Sequence, residues 1–523
     1  MTRAKIDPIS AAIPAARQDD ARHYGVHPYF TRRPANVVRA YIERYSREGD
    51  TVLDPFGGTG VTAIEAFLLG RKAIHNDLNP FANFIASCIA NTTLKSTEPL
   101  REAFERVCTS SAKPLNEIEA SEAAAAQWLN RLQLPANIRL PRTSDAEFFY
   151  DLFTPRQLAG LAVLKQNIED EPAGIIRDLL LLAWSASVAK LNKTFLSAKG
   201  RAASRGGSSI FSIYRYKLAS AFVELPIWET FKGRFQNVLA AKKEVLLIKS
   251  YREQTCPKFR RLDSRRDFRV LDADAATLDQ EIRSGTVDYI FTDPPYGAFI
   301  NYLDLSILWN HWLGFQVSEE AAENEIIVGG ERGHTEEHYK ERLAISIQTA
   351  LRLLRPDRWM SIVFQHWDVS YFETILETAE SNGAALKAAI TQTGDVIWSM
   401  HKKKNSASVL AGEFILTFYK PKNAPERQSR PPARRPTSEI TLSEAFDECL
   451  ANGAGSFTSE ALFNRLVIEL WRRRALSCLS LDRRTFAQNL EQRGWRYNPK
   501  THIWATSNGD SRPASTVNSL FEE

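Results

Sequence analysis

The chain has 523 residues, too long for one hydrophobic core, so two or three domains are expected. Lys and Arg number 67 against 62 Asp and Glu, a net charge of +5, so clustering of charge carries more information than the total. The five cysteines (Cys88, Cys108, Cys256, Cys449, Cys478) are scattered without a Cys-x-x-Cys, which argues against a disulfide framework or a zinc site. No secretory leader, membrane-spanning apolar run or internal repeat is read, and a soluble cytoplasmic protein is expected.

After a loosely ordered, Ala-rich start, His27-Pro28-Tyr29-Phe30 leads to Pro34, placed as a first helical residue. Val38, Tyr41, Ile42 and Tyr45 follow at helical spacing. Thr51-Val52-Leu53-Asp54 is a strand that runs into the glycine-rich turn Pro55-Phe56-Gly57-Gly58-Thr59-Gly60. Val61 to Leu69 is then a helix closed by Gly70. The glycines let backbone approach a ligand closely, and the helix N-terminus favours polar or anionic groups. No Gly-Lys-Ser/Thr follows, so the turn is not a phosphate loop of the Walker kind. Gly58-x-Gly60-x-x-Ala63 fits a dinucleotide fingerprint loosely. Lys72 to Asn76 is a second strand ending at Asp77, and Asn79-Pro80 starts a helix. Asp77 is placed to accept ribose hydroxyls; the other reading is a helix N-terminal acid stabilised by the dipole.

Residues from about 95 to 260 look helical, with examples at Pro99 to Val107, Pro155 to Ile168 and Ile175 to Leu191. This stretch far exceeds the ~30 residues that one βαβ unit needs, and is itself the size of a domain. Ser197 to Ser209 interrupts it with a basic loop carrying Lys199, Arg201 and Arg205. Lys190, Lys193, Tyr214, Arg215, Tyr216 and Lys217 flank that loop. Phosphate contact with base stacking and a plain solvated loop fit it equally. Lys258 to Arg269 is denser, with Arg260, Arg261, Arg265 and Arg266, and phosphate contact is favoured over a solvated face. It runs into the strand Val270-Leu271, followed by Asp272 and Asp274.

Val287 to Phe291 is a short buried strand entering Thr292-Asp293-Pro294-Pro295-Tyr296-Gly297. Two prolines forbid helix and ladder pairing, so an acid and a tyrosine sit on a stiff turn at a strand's carboxyl end, where open α/β sheets bind ligands. Asn301 to Asn310 is expected to form a helix beside that turn, with Trp309 and Trp312 in the core. Tyr339 to Leu354 and Phe372 to Glu380 are helices, Met360 to Phe364 is a strand, and Glu413 to Tyr419 is the expected closing strand. Pro421 to Pro436 is a Pro/Arg-rich linker. Beyond it, Leu462 to Trp471 and Arg484 to Gln492 are helical, and Trp495-Arg496-Tyr497 with His502-Ile503-Trp504 forms a hairpin. Helices followed by a hairpin suit a winged-helix DNA-binding module; a dimerisation or docking domain fits as well.

The pair of motifs, Asp54 to Thr62 and Asp293 to Tyr296, resembles the S-adenosylmethionine-dependent amino DNA methyltransferases. These modify adenine at N6 or cytosine at N4. The family's Asp-Pro-Phe-x-Gly-Ser-Gly-Thr-Thr is matched with Thr59 for serine and Val61 for threonine. Asp357-Arg358 replaces the family's usual glycine pair before the Met360 strand, which leaves that turn open. The resemblance implies a Rossmann-like α/β methyltransferase domain split into 23–95 and 262–420. A helical insertion at 96–261 would carry target recognition. A linker at 421–438 and a small α+β module at 439–523, winged-helix or docking, complete the organisation.

It also implies S-adenosyl-L-methionine as cofactor, held by Asp54, Phe56, Gly58, Thr59, Gly60, Asp77 and Asp274, with Asp272 competing for the last role. Double-stranded DNA is the expected substrate, with Lys199, Arg201, Arg205, Arg260, Arg261 and Arg265 as candidate contacts. A restriction or defence-system partner protein would suit such an enzyme, and no metal is required. Asp293, Pro294, Pro295 and Tyr296 would be catalytic. A conjugated exocyclic amine is a poor nucleophile. The Asp293 carboxylate and the Pro294 carbonyl can accept its hydrogens, and Tyr296 can stack on a base flipped out of the duplex. Asp at the first motif position favours adenine over cytosine. An RNA amino methyltransferase shares the motif. A nicotinamide-dependent oxidoreductase would leave it unexplained, and its intact residues argue against an inactive DNA-binding protein.

Overall fold

A computed structural model describes residues 6–16, 21–196, 207–219, 222–298, 300–392, 413–422, 438–451, 456–479, 483–499, 501 and 503–506. Lys199, Arg201 and Arg205, and all of the expected linker except its ends, lie outside the described residues. Seven strands form the main sheet: β1 (Thr51–Asp54), β2 (Lys72–Asn76), β3 (Phe268–Leu271), β4 (Val287–Thr292), β5 (Leu354–Phe364), β6 (Ala385–Gln392) and β7 (Glu413–Lys420). Their order is β3-β2-β1-β4-β5-β7-β6. β3, β2, β1, β4 and β5 run parallel, and β7 lies antiparallel between β5 and β6. This is a mixed α/β fold. β4 is buried at every position, as a central parallel strand covered on both faces must be.

Alternation along the strands sorts the core into two layers. Val52, Tyr289, Phe291 and Trp359 face one layer, with Tyr41 and Tyr45 of helix α1 (Ala35–Tyr45). Leu53, Ile74, Ile290, Met360 and Ile362 face the other. Helices α2 (Val61–Leu68), α3 (Pro80–Ala90), α4 (Glu98–Ala120), α5 (Glu122–Leu129), α6 (Pro155–Glu169), α7 (Ile175–Val188) and α8 (Ile227–Thr255) all contribute to the first layer. Trp309 on helix α9 (Tyr302–Leu313) is fully buried, stacks on Phe81 at 5.0 Å and donates its indole N–H to the Ser185 carbonyl. Trp312 is buried nearby, so both tryptophans are core residues, as expected.

Helices α10 (Glu336–Leu353) and α11 (Val369–Ser381) cover the second face, and so does the C-terminal region. That region runs α12 (Ser438–Ala451), β8 (Ser456–Phe457), α13 (Ser459–Arg472), α14 (Arg483–Gln492), β9 (Trp495–Asn498) and β10 (Ile503–Thr506), with sheet order β8-β10-β9. The hairpin is present, with β8 added to it. The module shares a core with the main sheet. Trp367 meets the Phe463 and Phe486 rings edge-on, and Arg474 pairs with Glu380 at 3.0 Å.

Two sequence expectations change. β7 does not close the sheet, because β6 pairs along its outer edge; the alanines of β6 are weak strand formers, and pairing with β7 overrides that. At the replaced glycine pair, Asp357 itself takes the left-handed conformation at φ 57°. Its carboxylate accepts from the Tyr419 hydroxyl and the Lys422 amide, so a short polar side chain substitutes for glycine. No described helix is long and apolar enough to cross a membrane.

Candidate active site

The carboxyl ends of β1, β2 and β4 open onto one cleft, walled by Asp54 to Thr59, Asn76 to Asn79, Ala273 to Ala275, Asp293 and Pro295. The two motifs, far apart in sequence, meet there because β1 and β4 are neighbours. Thr292 Oγ1 donates to Asp54 at 2.9 Å and ties the two turns together.

Each glycine of the first turn has its own reason. A Cβ on Gly57 would lie 2.1 Å from the buried His75 ring, so only hydrogen fits. Gly58 has φ 51° and open space beyond it, with Tyr29 the nearest group at 3.8 Å. Its N–H donates to Asp77 at 2.8 Å. Gly60 has φ 88° and faces Ala86 of α3, where a Cβ would come within 2.7 Å. Gly60 does not line the cleft; the close approach of Ala86 shows that its missing side chain lets α2 pack on α3.

Asp77 follows β2, lines the cleft, and accepts from the Gly58 and Asn79 amides. Burial raises its carboxyl to about 6. Burial likewise raises Asp54 to about 7, against hydrogen bonds from Thr62 and Thr292. Of the two acids after β3, Asp274 lines the cleft and caps the following turn through the Ala276 amide at 2.9 Å, with Arg342 beside it. Asp272 is off the cleft wall and lies 3.5 Å from the Asn83 amide group.

At the second turn, Asp293 is held by one side chain from a distant segment and one from the turn itself. Arg33 Nε and the Tyr296 hydroxyl both donate to its carboxylate. Arg33 also donates to the Tyr296 hydroxyl at 2.7 Å and pairs with Glu413 of β7. Burial raises the Asp293 carboxyl, and the charge of Arg33 opposes that rise. Pro294 and Tyr296 are not on the cleft wall, whereas Pro295 is, and the Pro295 carbonyl accepts from the Tyr339 hydroxyl. The Tyr296 ring packs edge-on against Phe364 at 5.1 Å.

Several wall residues carry no sequence motif. Tyr29, Thr31, Arg32 and Arg33 come from the segment before α1, and Glu325 from the loop before α10. Glu325 accepts from the Leu303 amide at 3.0 Å, and burial raises it to about 8. Thr59 Oγ1 and Arg32 Nε are buried without a hydrogen-bond partner among the described residues.

The basic residues fall elsewhere. Lys258 donates to the Glu48 carbonyl just before β1, and Arg260, Arg261 and Arg265 precede β3. They stand at the amino ends of the parallel strands, the end opposite the cleft. Arg260 donates to the Glu253 carbonyl and Arg265 pairs with Asp263 at 2.8 Å. Tyr216 is a core residue whose hydroxyl donates to the Leu305 carbonyl at 2.7 Å, so it is not a free stacking platform. No group of three His, Cys, Asp or Glu is placed to hold a metal among the described residues.

A family model described as DNA methylase matches residues 11–86, which hold the first turn and Asp77. Type II methyltransferase M.MjaII of Methanocaldococcus jannaschii is 33% identical over 63 residues, 12% of this chain and 12% of its own. Type II methyltransferase M.MthZI of Methanothermobacter thermautotrophicus is 31% identical over 130 residues, 24% of this chain and 37% of its own. Over these stretches the chain is similar to DNA methylases. It spans well under half the length of either relative. A solved antibiotic-resistance methyltransferase, Kmr, aligns over 34% of this chain and 72% of its own at 13% identity and a TM-score of 0.18. The Asp293 turn lies outside the stretch that the family model matches.

Proposed function

We propose that this chain transfers a methyl group from S-adenosylmethionine to the exocyclic amine of a base in double-stranded DNA, adenine N6 in preference to cytosine N4. The observation that carries the proposal is the meeting of the glycine turn and the Asp293 turn on one cleft. The wall suits the donor: buried carboxyls at Asp54, Asp77 and Glu325 line a space that a cationic, diol-bearing amino acid could fill, and so do Thr59 and Arg32, whose Oγ1 and Nε have no hydrogen-bond partner among the described residues. When bound, that group supplies an electrophilic methyl on a sulfonium sulfur.

In this reading Asp77 accepts from the ribose hydroxyls and Asp274 from the adenine amino group. Gly58, Thr59 and Phe56 line the bound donor, Asp54 offsets positive charge, and Arg32 meets the carboxylate. The base is flipped into the cleft, because its amine is buried in the duplex. Asp293 and the Pro294 carbonyl accept the two amine hydrogens, which holds the nitrogen lone pair toward the methyl. Tyr296 stacks on the base. The preference for adenine rests on Asp293 opening the motif. The order helix, strand, helix, helix, strand, strand in the C-terminal module is that of a winged helix and supports reading it as a DNA contact, with Arg484 of α14 and Arg496 of β9 exposed. Arg260, Arg261 and Arg265 would reach only DNA that wraps to the far end of the sheet, and the cleft does not need them.

The test is nucleoside mass spectrometry of DNA and RNA from cells expressing the wild type or Asp293→Ala. Methyladenine in DNA that vanishes with Asp293→Ala, while purified variant still binds the donor, is expected. Methylcytosine would overturn the base assignment, and methylation confined to RNA would overturn the substrate class.

A further inference from the structure

Four groups from three parts of the chain converge on the second turn: Arg33 from the segment before α1, Asp293 and Tyr296 from the turn itself, and Glu413 from β7. The Arg33 side chain is 11% exposed, Asp293 19% and Glu413 13%, so all three charges are largely removed from water. Both Arg–carboxylate pairs are therefore weakly screened, and breaking one leaves a desolvated charge behind. Methyl transfer moves positive charge from sulfur to the amine nitrogen beside Asp293: the sulfur–carbon bond breaks with its electron pair left on a neutral thioether sulfur, the nitrogen lone pair forms the nitrogen–carbon bond, and the amine then releases one proton to water. A guanidinium beside that nitrogen would oppose the change unless its own charge were cancelled.

We propose that Arg33 and Glu413 are positioning residues for the transfer: Arg33 fixes the Asp293 carboxylate and the Tyr296 hydroxyl and favours the ionised form of Asp293, and Glu413 cancels the Arg33 charge so that the guanidinium does not oppose the positive charge developing on the reacting amine. This rests on the methyltransferase reading above. With all three ionised the group carries one net negative charge; without Glu413 it carries none, and without Arg33 Asp293 loses the cation that favours its ionised form. Asp293 is also faced by Tyr302 at the start of α9, Tyr339 of α10 and Asp54 of β1; none of these is a cation, so Arg33 stands alone in that role among them.

The test compares the wild type with Glu413→Gln, Arg33→Met, Arg33→Lys and the double variant Arg33→Met/Glu413→Gln. Glu413→Gln is expected to lower kcat about tenfold to a hundredfold with KM for DNA within about twofold. Arg33→Met is expected to move the acidic limb of the kcat–pH profile upward, because Asp293 then holds its proton to higher pH. Arg33→Lys should restore part of kcat and most of the profile, which a merely structural role would not predict. The double variant should resemble Arg33→Met alone, since Glu413 acts through Arg33. Losses confined to KM, an unmoved acidic limb, or additive losses in the double variant would overturn the proposal. If the wild type methylates no nucleic acid, the methyltransferase reading falls. The cluster is then judged by melting curves against pH, with Asp293→Asn as reference. An Asp293 titration that moves upward in Arg33→Met supports it, and an unmoved one overturns it.

Discussion

Asp54 offers the sharpest quantitative test of the cleft's electrostatics. It ends β1 at 4% exposure and accepts from Thr292 Oγ1 at 2.9 Å and from the Phe56 amide at 3.1 Å. Burial outweighs these bonds and holds its carboxyl at about 7 against an ordinary 3.8. The folded protein therefore keeps this proton to higher pH than the unfolded chain does. The stabilisation is fully present below about pH 4 and is lost as pH rises through about 7. Between pH 5 and pH 8 the loss spans about two pH units, which at ~1.4 kcal/mol per unit is ~3 kcal/mol. Asn at this position cannot titrate. The stability of the wild type minus that of Asp54→Asn, from urea unfolding at fixed ionic strength, should fall by ~3 kcal/mol from pH 5 to pH 8. Asp77 and Glu325 titrate in both proteins and largely cancel in the difference. A cationic donor stabilises the ionised carboxylate, so saturating S-adenosylmethionine should flatten the fall. A difference that stays level across this range would refute the burial argument, and with it the idea that the cleft is primed for a cation.

Gly57→Ala should lower stability by ~1–3 kcal/mol and weaken donor binding, because the buried His75 ring cannot yield to a Cβ 2.1 Å away; unchanged melting and calorimetry would contradict this. Gly58→Val should fold, at a backbone cost of ~1–2 kcal/mol from its positive φ, yet lose donor binding because its side chain points into open cleft; unchanged affinity by calorimetry would remove the turn from the cofactor site. Arg32→Gln should raise KM for the donor while leaving kcat nearly unchanged, since it meets the non-reacting end of the ligand; an equal loss in kcat would place it at the chemistry. Arg484→Ala and Arg496→Ala should each lower the salt slope of DNA binding by about one unit, and an unaltered slope would assign the C-terminal module to another task.

Local chemistry alone located the main parts of the site. The strand Thr51 to Asp54 with its glycine turn, and the strand Val287 to Thr292 with its two prolines, declare themselves because turn residues act on their own backbone. β1, β2, α2 and α3 start and stop close to where capping and periodicity put them, for the same short-range reason. The helical character of the long insertion was equally legible from its 3.6-residue period. β6 escaped because its alanines favour no strand until β7 pairs with them. Arg33 and Glu413 carried no signal. Arg33 precedes a proline in an ordinary basic pair, and the 260 positions between it and Asp293 are bridged only by the tertiary fold. Arg260, Arg261 and Arg265 read as a DNA surface because charge density is visible in sequence, whereas the end of the strands on which it falls is not. Sequence fixes what each segment can do with its own backbone; which side chains then share one desolvated cleft depends on strand order and direction, which only long-range packing decides.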